Sequence, residues 1–280
     1  MKILIHVIFN PGEANEETTN MVLAELGITE YEHESVVTGM YSLVLEKGDE
    51  RIQKLIDELN SFENSPILRE ERIYTKIETD SAELLVLYIK ALCGDGYNVY
   101  GTEFDKSSVC PVCGSGEVQK SDLIINKFEM GNKDIAVAYS FEIVISEKLA
   151  KILSENNLTG LELRPVRHYT TRMKNEPNLF QIIPTCTLPP LASPPSRLVK
   201  AKEYCKTCGK SGLFIDPPFY YQKEDLSKVK VCDFDKTTEF FGIKLTRGIP
   251  RQAVIISQKV YQILKKNKIR NIRGEPVHLI

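Results

Sequence analysis

Two short cysteine motifs constrain the fold of this chain more than any other feature of its sequence. Cys-Pro-Val-Cys-Gly occupies residues 110–114, and Cys-Lys-Thr-Cys-Gly occupies residues 205–209. Two residues between the thiols let both sulfurs point at one ion, and the glycine that follows permits a tight turn. Two such pairs supply four thiolates, a closed tetrahedral set suited to a structural zinc ion. We therefore predict one Zn²⁺ whose ligands are Cys110, Cys113, Cys205 and Cys208.

A single Cys-x-x-Cys pair has other uses. In thioredoxin-like proteins it is a redox pair that follows a strand and opens a helix, whereas here each pair lies in loop-like sequence and is followed by glycine. Redox-active thiols and a degenerate site remain alternatives to the shared zinc ion. We expect Cys93 and Cys186 to be small buried side chains. Cys232 is expected in the core or, alternatively, as a fifth thiol near the zinc site.

An internal repeat organises the second part of the chain. Residues 145–153 (ISEKLAKIL) align without gaps with residues 256–264 (ISQKVYQIL), and the match continues to a Pro-Val pair in each copy. Each copy predicts a strand, a helix capped by its first serine, an asparagine-rich turn and a second strand. One cysteine motif precedes each copy. We therefore predict a duplicated βαβ-like module with repeats at about 106–169 and 200–280.

Charge divides the chain as well. Residues 1–105 carry eight Lys and Arg against 21 Asp and Glu, a net charge of −13, and residues 106–280 carry 28 against 17, a net charge of +11. Such asymmetry indicates separate modules with distinct surfaces for charged partners, or two halves that attract each other. We place a domain boundary at residue 105, between an acidic module and the zinc-binding module.

The acidic module alternates strand and helix patterns. Strands are predicted at Lys2–Phe9, Met40–Leu45 and Leu68–Ile77, and helices at Glu16–Leu26, Ile52–Leu59 and Leu84–Tyr88. This order predicts helices that cover one face of a sheet. The fold class expected for the whole chain is α+β, with an acidic βα module followed by two βαβ-like repeats that a zinc-ribbon-like site of four cysteines clamps together.

The sequence offers little for catalysis or membrane insertion. Its four histidines are scattered, and no P-loop, dinucleotide fingerprint or Gly-x-Ser-x-Gly motif is present. We therefore predict that the protein is not an enzyme and has no small-molecule substrate. Its apolar runs are far shorter than the roughly 20 residues that span a bilayer, and no signal-peptide pattern is present, so the cytoplasm is the expected location without a membrane partner.

The cysteine motifs carry a family resemblance. Two Cys-x-x-Cys-Gly motifs roughly a hundred residues apart, with Leu161–Val166 (LELRPV) between them, resemble the bacterial double-CXXCG motif proteins. That family includes immunity proteins of contact-dependent toxin systems. The resemblance covers roughly residues 100–280 and implies metal binding by the four motif cysteines, with no catalytic residues. It also implies a cognate protein toxin as partner, and the acidic first module is a candidate surface for binding it.

A second interpretation is a zinc-ribbon protein that binds nucleic acid or acts in transcription. The net charge of +11 and the basic run Lys265–Arg270 supply a positive surface for it. That run also follows the second repeat helix, where basic residues are favoured by the helix dipole, so nucleic acid is the less favoured partner. A thiol-based redox enzyme is a third interpretation, which requires a cysteine of low pKa.

Overall fold

The computed structural model describes residues 1–10, 16–28, 41–60, 66–96, 98–138, 141–170, 177–244 and 249–280. The protein is mixed α+β: 21% of these residues are helical and 35% lie in strands, arranged in several sheets, so the predicted α+β class is confirmed. The chain divides into two compact units, Met1–Glu78 and Thr79–Ile280.

The first unit is a three-stranded antiparallel sheet with helices on one face. Its elements in chain order are β1 (Lys2–Phe9), α1 (Glu16–Glu25), β2 (Tyr41–Glu46), α2 (Arg51–Leu59) and β3 (Ile67–Ile73), and the strand order is β2-β1-β3. Val7 and Leu43 of the sheet share a buried core with Leu23 of α1 and Leu55 of α2. Met40, where the second strand was predicted to begin, lies outside the described residues.

A correction concerns the segment predicted as a third helix. After α3 (Lys76–Ser81), residues Leu84–Ile89 form strand β4. Four consecutive side chains, Leu84 to Leu87, are buried. A strand covered on both faces appears in sequence as a continuous apolar run, which periodicity alone does not distinguish from a buried helix.

The boundary between the two units lies at residue 78 and not at the predicted residue 105, because strand β4 belongs to the second unit. This strand pairs with two strands from the end of the chain. The further elements of that unit are β5 (Phe104–Asp105), β6 (Val118–Gln119), β7 (Leu123–Ile125), a 3-10 helix (Lys127–Met130), β8 (Ile135–Val137), β9 (Ile143–Ser146), α4 (Glu147–Glu155), β10 (Leu161–His168), β11 (Leu179–Pro184), β12 (Cys186–Thr187), β13 (Arg197–Lys200), β14 (Leu213–Asp216), β15 (Tyr220–Tyr221), α5 (Lys223–Ser227), β16 (Phe234–Lys236), β17 (Val254–Ser257), α6 (Gln258–Lys266), β18 (Ile272–Pro276) and β19 (His278–Leu279).

Two five-stranded sheets form the body of the second unit. Their strand orders are β7-β10-β11-β9-β8 and β12-β16-β17-β4-β18. In the first sheet, β9, α4 and β10 form a crossover whose two strands lie on either side of β11, antiparallel to it. In the second sheet, β17, α6 and β18 lie in the same way around β4. Both helices bury their apolar faces in one core, which also contains Leu85 of β4 and Ile182 of β11.

The two aligned segments have the same local structure at the start of each helix. Ser146 and Ser257 are the N-cap residues of α4 and α6, both with φ −69° and ψ 158°, and each hydroxyl oxygen accepts a hydrogen bond from the N–H three residues later. The predicted serine caps are therefore confirmed. Each serine hydroxyl also donates to the aspartate that comes just before the neighbouring strand, Asp134 at 3.0 Å or Asp233 at 2.7 Å.

The turns after the two helices match as well. Asn157 and Lys268 have φ of 47° and 55°, and Gly160 and Asn271 have φ of 74° and 63°. These pairs are related by the same offset of 111 residues as the aligned helices. Left-handed backbone conformations are uncommon outside glycine, so their recurrence at equivalent positions marks equivalent turns.

Candidate metal centre

Each cysteine pair lies in the connection between two antiparallel strands. Residues 110–113 lie between β5 and β6, and residues 205–208 lie between β13 and β14. Neither strand pair belongs to a sheet that contains the strands next to α4 or α6. The two cysteine loops are therefore carried by separate small ribbons outside the two five-stranded sheets.

The two cysteine loops have the same backbone turn. Gly114 N–H donates to the carbonyl of Cys110 at 2.8 Å, and Gly209 N–H donates to the carbonyl of Cys205 at 2.9 Å. The glycines have φ of 69° and 67°, in the left-handed region that a residue with a β-carbon adopts only with strain. The glycine that follows each cysteine pair in the sequence is explained by this turn.

The sulfur atoms of the four cysteines predicted as zinc ligands lie close together. Cys110 Sγ lies 3.8 Å from Cys205 Sγ, and Cys113 Sγ lies 3.5 Å from Cys208 Sγ. All four Sγ atoms lie within 4.8 Å of one another. A tetrahedron of thiolates with metal–sulfur bonds of about 2.3 Å has sulfur–sulfur distances of about 3.8 Å. This four-cysteine cluster is thus compatible with a single four-coordinate metal ion.

Burial differs within the four-cysteine cluster. Cys110 and Cys205 are buried, and Cys113 and Cys208 are half-buried. Hydrogen bonds from the backbone N–H groups of Cys113 and Val112 lower the pKa of Cys110. Burial raises the pKa of Cys208 to about 12, although the N–H of Lys210 donates to its sulfur at 3.4 Å. Cys208 therefore keeps its proton at neutral pH, and a bound cation would have to displace it.

A partly buried ion pair lies beside the two cysteine loops. Lys244 Nζ lies 2.7 Å from Glu117, whose side chain is only 4% exposed. Lys244 N–H donates to the hydroxyl of Ser211 at 3.0 Å, and the carbonyl of Ser211 accepts from the N–H of Cys205 at 2.9 Å. These contacts link the segment after the first cysteine loop to the second loop. The sequence does not predict this ion pair, because its two residues are 127 positions apart.

Burial of the remaining cysteines follows the prediction for Cys93 and Cys232 but not for Cys186, which is half-buried. Cys93 is fully buried, as predicted, and burial raises its pKa to about 12. Cys186 and Cys232, by contrast, are joined in a disulfide. They meet because β12 pairs with β16, and this pairing joins two cysteines that are 46 residues apart in the sequence. Cys232 is buried, as expected for a core residue, but it is bonded to Cys186 and is not a fifth thiol of the four-cysteine cluster.

The histidines lie apart from the cysteines. His6 Nε2 lies 2.9 Å from Glu71 in the first unit, and His168 is buried, with Nδ1 accepting from the N–H of Lys127 at 3.2 Å. His33 lies outside the described residues. Among the described residues, neither group with metal-ligand spacing includes a histidine.

Within the described ranges, no helix combines the length and the apolar character needed to cross a membrane.

Comparison with other proteins adds no functional assignment. No model of a protein family matches the chain, and no curated protein matches it either. Any functional assignment therefore depends on the geometry of the four cysteines and on the sequence resemblance.

Proposed function

We propose that the four-cysteine cluster binds one structural zinc ion, and that the protein is a binding protein which neutralises a cognate bacterial toxin. The observation that carries the zinc assignment is the convergence of four thiol sulfurs within 4.8 Å from two loops 95 residues apart. Four soft thiolates at the spacing of a single tetrahedral ion favour zinc, since an iron–sulfur cluster holds its thiolates further apart.

The proposed ion is structural because its coordination is complete. Four protein ligands leave no position for a reacting water or a substrate atom. The ion would join the β5–β6 and β13–β14 ribbons in a zinc-ribbon-like arrangement. We also propose that the two crossover segments descend from a duplicated module, which their shared serine caps and matching turns support.

The binding role rests on the resemblance and on the charge of the first unit. Residues 1–78 carry seven Lys and Arg against 16 Asp and Glu, a net charge of −9. An acidic surface speeds the capture of a basic partner and selects against acidic ones. A nuclease toxin has a positive cleft for its substrate, so such a toxin fits this surface. We place the protein in the cytoplasm, where thiols stay reduced and available to zinc.

The metal is tested by native mass spectrometry of the full chain. Replacing Cys110 and Cys205 together by serine is expected to lower the zinc content by one ion per chain. Cys93→Ala is the matched control, because it removes a buried thiol outside the cluster, and it is expected to leave the zinc content unchanged. An unaltered zinc content in the double variant would overturn the assignment of the four cysteines as ligands.

The immunity role is tested by purification of the chain from its own host, followed by a growth assay. We expect a stoichiometric protein partner that stops growth when expressed alone and does not when this chain is co-expressed. Association should slow as salt rises, because screening weakens electrostatic capture. A partner without effect on growth would contradict the proposal, and an association rate independent of salt would remove the role of the acidic unit.

One observation favours the nucleic-acid interpretation as a second candidate. Lys200, Lys202 and Lys206 are exposed next to the second cysteine loop, and Lys200 lies 4.8 Å from the ring centre of Tyr204. Exposed cations beside an aromatic ring are suited to single-stranded nucleic acid. Co-purification of nucleic acid without a protein partner, lost on replacing these lysines by glutamate, would favour this candidate over the toxin.

A further inference from the structure

A second group of metal-ligand side chains lies away from the four-cysteine cluster. Cys186, Cys232 and Asp235 each place a potential ligand atom within 4.8 Å of the other two. Cys232 and Asp235 are buried, and Cys186 is half-buried, so the group is accessible from the side of Cys186. In this structure the two sulfurs form a disulfide.

The backbone holds the two cysteines close without help from the disulfide. The turn at Thr159 and Gly160 binds both of their neighbours: the carbonyl of Gly160 accepts from Thr185 N–H at 2.9 Å, and the carbonyl of Thr159 accepts from Phe234 N–H at 3.0 Å. Strand pairing then places Cys186 opposite Asp235. Reduction of the disulfide therefore leaves both thiols in place.

Close packing adds to this rigidity. A β-carbon at Gly160 would lie 2.2 Å from the carbonyl oxygen of Phe234 and 2.6 Å from Cβ of Cys232. The turn thus rests directly on the segment that carries Cys232. The Cα atoms of the two cysteines are 6.4 Å apart. At that separation, rotation about the Cα–Cβ bonds can move the sulfurs from bonding distance to the roughly 3.8 Å between thiolates on one zinc ion.

The carboxylate of Asp235 lacks a full set of partners. The residue has no exposed surface, and its Oδ2 accepts from the N–H of Cys232 at 3.0 Å. Its Oδ1 is buried and has no hydrogen-bond partner among the described residues. A buried oxygen without a partner costs free energy unless something binds it, and a cation beside two thiolates would do so.

We propose that Cys186, Cys232 and Asp235 form a second, redox-controlled zinc site, which holds Zn²⁺ when the two cysteines are reduced and releases it when they form the disulfide. Two thiolates and a carboxylate are ligands that zinc accepts, and the fourth position is left to water. This open position makes the ion exchangeable, in contrast to the closed four-cysteine site.

The oxidation step needs a two-electron oxidant, for which a peroxide suffices. The sulfur of Cys186 attacks one peroxide oxygen, the O–O bond breaks, and a sulfenic acid forms with release of hydroxide. The sulfur of Cys232 then displaces the sulfenic hydroxide and forms the S–S bond. The sulfurs have lost two electrons, the peroxide has become two hydroxides, and zinc leaves because both of its thiolate ligands are gone.

The test compares zinc content in the full chain after reduction with a phosphine, saturation with Zn²⁺ and removal of unbound metal. Native mass spectrometry should find two zinc ions per chain in the reduced protein and one fewer after a stoichiometric amount of hydrogen peroxide. Cys186→Ser should hold one ion fewer than the wild type when reduced and lose none with that peroxide dose. Cys93→Ala, the matched control, should behave as the wild type.

The variants separate this site from the four-cysteine site. A zinc ion that is lost in Cys186→Ser but kept when Cys110 and Cys205 are both replaced supports the second site even if the first assignment fails. A reduced wild type with the same zinc content as Cys186→Ser overturns the second site, whatever the four-cysteine cluster binds.

Discussion

The two five-stranded sheets of the second unit share a crossover but obtain their central strand from different places. In the first sheet, β11 follows directly after β10 and folds back between β9 and β10. In the second, the central position is filled by β4, which ends at residue 89, while β17 begins at residue 254. A crossover whose two strands are not adjacent needs a third strand between them. In the first sheet this third strand comes after the crossover in the sequence, and in the second sheet it comes before both crossovers.

The difference explains the unit boundary. Because β4 pairs with both β17 and β18, residues after 105 alone lack the strand that joins these two. The first unit repeats the arrangement on a smaller scale, with β1 between β2 and β3 and α2 as the crossover helix. The strand-helix-strand crossover around a central antiparallel strand is therefore the recurrent building block of this chain.

We expect the largest effect from removing β4, the central strand of the second sheet. A fragment of residues 79–280 should fold, and a fragment of residues 106–280 should not. Leu84 to Leu87 are all buried. At about 1.5–3 kcal/mol for each such side chain, their loss removes about 6–12 kcal/mol, which is comparable to the whole stability of a typical domain. Urea unfolding followed by circular dichroism gives the answer, and equal cooperative transitions for the two fragments would show that β4 is dispensable.

Single substitutions in the two central strands sharpen the comparison. Leu85 in β4 and Ile182 in β11 lie in the same core, with 0% and 5% exposure. Leu85→Ala and Ile182→Ala should each lower the free energy of unfolding by about 2–5 kcal/mol, through lost burial and the cavity left behind. Leu92→Ala serves as the control, because Leu92 is 49% exposed. A loss at Leu85 no greater than that of the control would mean that β4 is only loosely attached.

The two sheets also differ in one buried carboxyl group. Asp235 in β16 pairs with Ile255, and the equivalent position in the first sheet is Ala136, which pairs with Val144. Burial raises the pKa of Asp235 from 3.8 to about 6. A raised carboxyl pKa favours folding below the unfolded-state value, and that stability is lost as the pH rises from about 4 to about 6.

Replacing Asp235 by alanine in the protein that contains the Cys186–Cys232 disulfide should remove this pH-dependent loss of stability. Relative to the wild type, the free energy of unfolding of the variant should increase by about 1–3 kcal/mol between pH 4 and pH 7, since one pKa unit corresponds to about 1.4 kcal/mol. The measurement is urea unfolding at several pH values without reductant. Parallel pH profiles of variant and wild type would show that the carboxyl group is solvated and not desolvated by the fold.

The features that the sequence predicted and those that it missed differ in range. The serine-capped helices at 147–155 and 258–266 and the meeting of the four motif cysteines follow from spacing within short segments, where periodicity and ligand geometry act directly. Strand β4 was missed because an unbroken apolar run has no period. The Cys186–Cys232 pair was missed because it depends on β12 meeting β16, which only the completed sheet determines.

The smallest expected effect tests whether the two helix starts are equivalent in energy as well as in shape. Ser146→Ala and Ser257→Ala each remove a cap hydrogen bond to the N–H three residues on, together with the bond that the hydroxyl donates to Asp134 or Asp233. Each should therefore cost about 1–2 kcal/mol of unfolding free energy. Threonine at either position keeps the hydroxyl and should restore most of the loss. Ser154→Ala removes a serine that only donates to the carbonyl of Ala150 within α4, so it should have little effect. A smaller loss at Ser257 than at Ser146 would mean that the two caps share a geometry but not an energetic role. In that case α6 is held mainly by packing against β4 and depends little on its cap.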